Sequence, residues 1–331
     1  MIAQLDWQYI RTKPLKSISR LNSYFFIEGR PVTTRGQWIN PFVLYQLRLV
    51  KLLPIAGKVI KPIFILGMGR SGTTILGKVL SIHKQVGFLN EPKALWHVVY
   101  PDEDIFGNYS KNPGRYRLDE KDCSESNCLS AHKLYKYSMF LTGSRRIADK
   151  YPEMIFRVPF LRCIFPDAKF ILLVRSGWDT LQSVESWSNT KGNKNQNNTH
   201  DWWGVNNRKW KLLVKEIVDK DPKMADIAAS VSTISSQEDR AAVEWVSIMQ
   251  EALRHIRSAP EEFLVIRFEE FIGQFEYNIN RLLKFCELPE DSHQLEYAKR
   301  ILSPRPAYGM CSLHPAIEGI FRETMEDFDY T

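Results

Sequence analysis

A short apolar run followed by closely spaced glycines is the feature of this 331-residue sequence that most constrains its fold. Segment 63–80 reads IFILGMGRSGTTILGKVL, and Gly67, Gly69 and Gly72 separate a predicted buried strand from a predicted helix. Glycines permit a tight loop whose backbone N–H groups point inward, and the positive end of the helix dipole adds to them. The segment therefore predicts a loop that cradles a phosphate.

The spacing of the first and last of these glycines is that of a Walker A loop, but the sequence lacks two parts of a nucleoside triphosphatase. Thr73 stands where the Walker motif has lysine, and the cation of the loop is Arg70. A second apolar strand, at 169–174, ends at Arg175 instead of at the carboxylate that would hold magnesium. A P-loop kinase or nucleoside triphosphatase is therefore the disfavoured alternative, and we expect no metal.

Strand and helix signals alternate along most of the chain. A third apolar run lies at 263–266, after a long helical pattern that Ser236 and Asp239 introduce as a capping box. Polar or aperiodic stretches at 102–130 and 189–200 interrupt the alternation. These signals predict an α/β fold, with a P-loop-type parallel sheet flanked by helices in a single large domain that carries helical and loop insertions, over residues 62–331.

The positive charge of the chain is concentrated in residues 1–61. That segment holds ten basic and two acidic residues, although the whole chain carries only +7. We interpret it as an irregular basic segment that packs on the domain or extends it. Its charge indicates either contact with an anionic surface, such as a membrane, or a solvated face. Leu44, Leu47 and Val50 have near-helical spacing there, as in an amphipathic surface helix or one packed on its own domain. The near-neutral remainder argues against a nucleic-acid partner.

The cysteines and the hydropathy of the chain indicate in which cellular compartment the protein is expected. Five cysteines without regular spacing predict free thiols in a reducing compartment and not a disulfide framework. Zinc bound at Cys123 and Cys128, with His132 nearby, is a weak alternative. No apolar stretch is long enough to span a bilayer. We therefore expect a cytoplasmic protein, with contact to a membrane surface through the basic segment.

Several segments together resemble a known family. Arg175 at a strand end and Ser183 eight residues later suit a second phosphate beside the glycine loop, because ligands collect at the carboxyl ends of parallel strands. With the preceding FPDAKFILLV, and with LVIRFEEFI at 264–272, they resemble the sulfotransferases that use 3′-phosphoadenosine 5′-phosphosulfate (PAPS). NEPKALWHVV at 90–99 is similar to a Glu-Pro-Leu-Trp-His motif of carbohydrate sulfotransferases. The resemblance covers roughly residues 62–290.

The resemblance implies roles for individual residues. Arg70 would neutralise the bridging oxygen as the S–O bond breaks. Arg175 and Ser183 would bind the 3′-phosphate, and Phe268 would lie against the adenine. The 5′-phosphosulfate would be cradled by the backbone and hydroxyl groups of the loop residues, which are Gly69, Arg70, Ser71, Gly72, Thr73 and Thr74. A late loop covers the nucleotide in relatives, which makes Arg305 a further candidate.

Sulfuryl transfer to an alcohol needs a base, and Glu91 is the preferred candidate. It follows an apolar run and precedes Pro92 at a predicted turn, and the motif match points to the same residue. The alternatives are that Glu91 caps the following helix, or that His83 is the base. Weaker candidates for contact with the acceptor are Lys150, Trp96, His97 and Trp187.

The function expected from these residues is transfer of a sulfuryl group from PAPS to a hydroxyl of an acceptor, a carbohydrate or a glycolipid, with PAPS and its desulfated product PAP as ligands. A non-catalytic scaffold is the other alternative to an enzyme. Such a scaffold would keep the nucleotide pocket and recruit a partner through the basic segment.

Overall fold

A five-stranded parallel sheet forms the centre of the molecule. The structure is a computed structural model, and it describes residues 2–31, 34–195, 198–304 and 307–330. In these ranges the strands are β1 (Ile63–Leu66), β2 (Val86–Asn90), β3 (Arg146–Lys150), β4 (Lys169–Val174), β5 (Asn193–Asn195), β6 (Asn198–Asp201), β7 (Gly204–Val205) and β8 (Phe263–Arg267). The parallel sheet has the order β2-β3-β1-β4-β8, and β5, β6 and β7 form a small antiparallel sheet.

Helices lie on both faces of the parallel sheet. Over the same ranges they are α1 (Trp7–Thr12), α2 (Pro14–Phe26), α3 (Asn40–Leu52), α4 (Thr73–Ser81), α5 (Lys93–Val99), α6 (Glu125–Thr142), α7 (Val158–Ile164), α8 (Gly177–Lys191), α9 (Arg208–Glu216), α10 (Ala225–Ser230), α11 (Gln237–Ser258), α12 (Phe268–Gly273), α13 (Phe275–Phe285), α14 (Ser292–Ile301) and α15 (Pro315–Glu326). The predicted α/β class with a P-loop-type parallel sheet is confirmed.

Strand β1 is buried on both sides, as a central parallel strand must be. Phe64 and Leu66 belong to one core cluster, and Ile63 and Ile65 belong to another. This alternation places one apolar layer on each face of the sheet. Because these strands are parallel, the carboxyl ends of β1, β2, β3 and β4 lie at one edge of the sheet, where the glycine loop begins.

The sequence patterns located three of the five central strands. The expected strands at 63–66, 169–174 and 263–266 are β1, β4 and β8, and Ser236 accepts the predicted capping hydrogen bond from the N–H of Asp239 at 2.9 Å. Strands β2 and β3 were not predicted. Strand β3 reads RIADK, but Asp149 and Lys150 are buried in it. Two adjacent charged residues resemble a surface loop, so apolar patterning could not identify this strand.

Most of the described part of residues 2–52 is helical, so the prediction of an irregular segment was wrong there, whereas the near-helical spacing at 44–50 is confirmed by α3. Helices α2 and α3 both pack on α6, and the Oγ of Ser19 donates a hydrogen bond to the carbonyl of Thr142 at 2.7 Å. Buried Arg20 forms an ion pair with buried Glu28. These contacts are distant in sequence, so the segment alone gives only a weak helical signal. No helix in the described ranges is long and apolar enough to cross a membrane.

The two predicted insertions have defined structure. Buried Asp104 accepts hydrogen bonds from four consecutive backbone N–H groups, at positions 107 to 110, which fixes the turn that follows it. The polar stretch at 189–200 was expected to be a loop, but its described part ends helix α8 and forms β5 and most of β6.

The prediction of free thiols was wrong for two of the five cysteines. Cys123 and Cys163 form a disulfide that closes 40 residues. The Sγ of Cys128 lies 3.4 Å from the Sγ of Cys123, and these three residues form a group that could hold a metal ion. His132, which the zinc alternative included, instead accepts a hydrogen bond from the N–H of Val59. Cys123 precedes α6 and Cys163 lies in α7, so only the packing of these elements brings them together.

We expect the substitution Cys163→Ser to lower the free energy of unfolding by about 3–4 kcal/mol in the absence of reductant, because the denatured chain regains the entropy of a long loop. Urea unfolding with and without dithiothreitol measures this difference, which should vanish with reductant. Cys128→Ser is the matched control, because it leaves the disulfide in place. Reaction of all five thiols in the unreduced chain would contradict the assignment.

Candidate active site

The glycine loop has the backbone conformation that an anion cradle needs. Gly67, Arg70 and Gly72 have positive φ angles of 129°, 75° and 95°. A Cβ at Gly67 would lie 2.3 Å from the carbonyl oxygen of Leu173, so only glycine allows this approach of β1 to β4. Helix α4 begins at Thr73, directly after the loop. The glycine loop and the positive end of the α4 dipole therefore lie together, an arrangement that favours an anion.

The end of strand β4 is hydrogen-bonded to this loop. A terminal nitrogen of Arg175 donates to the carbonyl oxygen of Arg70 at 3.2 Å, and the Nε of Arg70 donates to the Oγ of Ser183 at 3.0 Å. The other terminal nitrogen of Arg175 lies 3.4 Å from Asp179. The Nε of Arg175 is buried, and no described residue accepts its hydrogen. The two elements that the sequence singled out are thus adjacent, with one buried donor unused.

Phe268 packs against both elements. Its ring occupies the space that a Cβ at Gly72 would need, at 2.3 Å, and the guanidinium carbon of Arg175 lies 5.1 Å from the ring centroid. Phe268 is the first residue of α12 and is buried. Its aromatic face therefore joins the two phosphate-binding candidates at the end of β8.

Glu91 lies at the end of β2, between two ammonium groups. Its Oε1 is 2.5 Å from the Nζ of Lys150, and its Oε2 is 3.1 Å from the Nζ of Lys93. Burial raises the pKa of Glu91, but Lys150 and Lys93 outweigh burial and hold that pKa well below its ordinary value. The side chain is one third exposed, and both lysines are buried. Glu91 does not cap helix α5, whose N-cap is Pro92 without a side-chain hydrogen bond.

A cavity of about 490 Å³ opens beside the loop. Six of the predicted site residues line it, namely Gly69, Arg70, Thr74, Glu91, Lys150 and Trp187. Arg175, Ser183 and Phe268 lie beside the loop but outside this lining. The cavity therefore joins the glycine loop to Glu91, and Arg175 and Ser183 contact the loop at Arg70 without lining the cavity.

Three other predicted residues lie outside the cavity lining. Trp96 is buried, and its indole Nε1 donates to Asp149 at 2.9 Å. His97 is buried against the ring of Tyr109, and burial lowers its pKa. His83, the alternative base, has its Nε2 2.9 Å from the carbonyl oxygen of Pro289. Trp96 and His97 lie on α5, which begins two residues after Glu91, and both side chains are buried in the core. Arg305 lies outside the described residues.

The cavity wall also contains charged residues that the sequence patterns did not identify. Buried Lys209 lies 2.5 Å from Glu244 and 3.1 Å from Glu153. Burial lowers the pKa of Lys209, but the two carboxylates raise it above its ordinary value, so the ammonium group stays charged. Lys93, whose Nζ lies 3.6 Å from the ring centroid of Phe106, was also missed. These residues come from separate elements of the fold, so no local sequence motif could identify them together.

Two tryptophans form an aromatic corner of the cavity. The Trp187 and Trp202 rings are 5.4 Å apart in an edge-to-face arrangement. Trp202 covers the loop at Gly69, where an added Cβ would lie 2.5 Å from the indole ring. The Nε1 of Trp202 donates to Glu244 at 2.6 Å, which orients the ring. Trp202 was not among the predicted site residues, although the tryptophan-rich composition of this region was a signal for it.

We expect Gly72→Ala to lower the free energy of unfolding by about 2–4 kcal/mol, because alanine is strained at this φ and its Cβ collides with Phe268. Gly319→Ala, at an exposed position of α15 with open space around it, is the control and should be neutral or slightly stabilising. Equilibrium unfolding in urea measures both. Equal changes in the free energy of unfolding for the two variants would show that neither the φ angle of Gly72 nor its contact with Phe268 requires glycine.

Comparison with known proteins identifies a family for the part of the chain that contains the glycine loop. Residues 62–226, about half of the chain, match the family model described as "Sulfotransferase family". An uncharacterized protein of Aquifex aeolicus (strain VF5) is 26% identical over 273 residues, which are 80% of this chain and 30% of that protein. Protein-tyrosine sulfotransferase 1 of Homo sapiens is 27% identical over 127 residues, which are 38% of this chain and 34% of that protein. The matched part thus spans about a third of the length of these curated relatives.

A solved structure shares the fold. The crystal structure of sulfotransferase STF9 from Mycobacterium avium aligns with a TM-score of 0.51 at 12% sequence identity, and the alignment covers 100% of this chain and 98% of that chain. At this identity the likeness concerns the fold alone.

Proposed function

Because the chain belongs to the sulfotransferase family of transferases, we propose that it transfers a sulfuryl group from PAPS to a hydroxyl acceptor. The observation that carries the proposal is the hydrogen-bonded unit of Arg70, Arg175 and Ser183, which sets two anion-binding elements side by side. PAPS carries two separate phosphate-bearing positions on one adenosine. A single-phosphate ligand would leave one of these elements unused.

The donor is held by both elements in this proposal. The loop N–H groups and the hydroxyls of Thr73 and Thr74 bind the 5′-phosphosulfate at the start of α4. Arg175 and Ser183 bind the 3′-phosphate, and the unused Nε of Arg175 supplies a further donor. Phe268, which packs on Gly72 and Arg175, offers its face to the adenine. No metal is needed, because backbone dipoles and arginines balance the phosphate charges.

The transfer is an in-line displacement with Glu91 as the base. The acceptor oxygen forms a bond to sulfur while the bond from sulfur to the bridging phosphate oxygen breaks, and PAP leaves. The hydroxyl proton passes to the Glu91 carboxylate, which Lys150 and Lys93 keep ionised. Arg70 lies on the glycine loop and neutralises the negative charge that develops on the bridging oxygen.

The acceptor is a carbohydrate or a glycolipid in this proposal. The cavity next to the loop is large enough for a sugar unit, and Trp187 and Trp202 provide aromatic faces beside charged groups that can bind hydroxyls. One of the relatives is named for tyrosine sulfation, which makes a phenolic hydroxyl the competing acceptor. Incubation with ³⁵S-labelled PAPS and a panel of sugar, glycolipid and tyrosine-containing acceptors distinguishes them.

We expect PAP to raise the thermal unfolding temperature without magnesium, because ligand binding to the native state stabilises it. Arg175→Ala should weaken this binding by about 10- to 100-fold, since it removes a charged partner of the 3′-phosphate. A thermal shift titration, with and without EDTA, measures both. A stabilisation that requires magnesium, or one by ATP but not by PAP, would favour a P-loop kinase and sink the proposal.

We expect Glu91→Gln to lower kcat by about 10²- to 10⁴-fold while PAP binding is retained, because the amide cannot take the proton. The control is Glu251→Gln, which also removes an ion-paired carboxylate but lies outside the cavity lining. Turnover of labelled PAPS and thermal shift by PAP are measured on both variants. An unchanged kcat for Glu91→Gln would exclude the base role, and PAP binding without turnover by the unmodified chain would favour a non-catalytic scaffold.

A variant of one lysine beside Glu91 makes a pH experiment possible. Since the pKa of Glu91 lies well below its ordinary value, the carboxylate stays ionised from about pH 5 to 8, and its protonation does not limit kcat there. Lys93→Met removes one of the two cations, so the pKa of Glu91 rises and the acid limb of kcat moves to higher pH. An acid limb at the same pH in both proteins would show that Glu91 does not carry the proton.

A further inference from the structure

Helix α3 is apolar on two opposite faces. Val43, Leu47 and Val50 point into the core and are at most 4% exposed. The other face carries a row that we call the α3 stripe, formed by Phe42 (54% exposed), Tyr45 (63%), Leu49 (45%) and Leu52 (80%). The intervals of three, four and three residues place the four side chains on one line of the helix. A surface helix usually carries polar residues there, so this apolar row needs a partner.

Neighbouring elements continue the apolar character. Trp38, in the turn that leads into α3, is 78% exposed. Helix α2 presents Leu15, Ile18 and Phe25 to solvent while Arg20 and Ser23 face inward. Helix α2 contacts α3, and both pack on α6. Exposed aromatic and aliphatic side chains are therefore a shared property of this helical segment and not an isolated feature.

The charged residues of the chain segment that carries the stripe are all basic. No acidic residue occurs between Glu28 and Glu91 in the sequence, and Glu28 is buried in its ion pair with Arg20. Arg48 and Lys58 are exposed on and after α3. A second copy of this chain would bring the same basic residues face to face, which disfavours self-association through the stripe. Basic residues beside aromatic and aliphatic ones are instead typical of helices that lie in the interface of an anionic bilayer.

We propose that the α3 stripe docks on the surface of an anionic lipid bilayer. The apolar side chains enter the headgroup region, and Arg48 and Lys58 pair with lipid phosphates. The segment between α2 and α3 links this surface to the cavity, because Pro31 and Thr34 line the cavity. Docking therefore brings the cavity rim towards the membrane. This arrangement suits an acceptor that is carried by a lipid, and that consequence rests on the proposed function. The docking itself does not depend on the proposed function.

The test is sedimentation of the full chain with vesicles, without donor or acceptor. The vesicles contain phosphatidylcholine alone or with about 30 mol% phosphatidylglycerol. We expect binding to the anionic vesicles only, and a loss of at least about tenfold for the triple variant Phe42→Ser, Leu49→Ser, Leu52→Ser. The double variant Arg48→Glu, Lys58→Glu should lose binding too.

The matched control is Tyr277→Ser with Met310→Ser, two similarly exposed apolar residues elsewhere, which should bind within about twofold of the unmodified chain. Thermal unfolding checks that every variant is folded.

Absence of binding to anionic vesicles, or equal binding by the triple variant, would overturn the proposal. A dimer in sedimentation velocity that the triple variant abolishes would show that a second copy covers the stripe, and would overturn it as well. Glu91→Gln should bind vesicles normally, so failure of docking and failure of catalysis are separate results.

Discussion

The contact between the glycine loop and the end of strand β4 is the interaction on which the proposed donor site depends. It exists because β1 and β4 are adjacent parallel strands whose carboxyl ends meet at one edge. Gly67 lets the loop approach the carbonyl oxygen of Leu173, and Arg175 then reaches the carbonyl oxygen of Arg70. Without this register the two anion-binding elements would lie apart. One ligand with two anionic groups could not then use both.

A second constraint is the set of buried charges on the cavity wall. Glu91 lies between two lysines, and Lys209 lies between two carboxylates. A buried charge without a partner is costly, and in these pairs the opposite charge offsets part of that cost. The arrangement costs stability relative to an apolar core, but it provides a polar wall that is already oriented before a ligand binds. It also leaves the carboxylate of Glu91, the base in our proposal, one third exposed.

The proposed donor site and the proposed bilayer-docking surface lie on different parts of the chain but meet at the cavity. The loop and strand ends form one side of it, and the segment between α2 and α3 reaches its rim. The N-terminal helices therefore belong to the functional architecture in our interpretation and are not only a covering of the core. In the two proposals taken together, the chain holds a nucleotide while it receives an acceptor from a membrane surface.

Much of the fold, and part of the candidate site, could be predicted from the sequence. Strands β1 and β4, the cap of α11 and the glycine loop are local patterns, and each reads directly from neighbouring residues. Strand β3 could not be read, because Asp149 and Lys150 resemble surface residues until the sheet buries them. Helix α2 and the Cys123–Cys163 disulfide were likewise not predicted, because packing between distant elements stabilises them. The near-helical spacing at 44–50, in contrast, did indicate α3.

The sequence by itself determined the glycine loop and the position of Arg175 directly after β4, and it led us to propose Glu91 as the base, since glycine spacing and strand ends are properties of short segments. Only the tertiary structure decided which cations flank Glu91 and which tryptophan covers Gly69. The lysine that is nearest to Glu91 in space, Lys150, lies 59 positions away from it in the sequence. The two meet because β2 and β3 are neighbours in the sheet, and strand order is set by the packing of the whole domain.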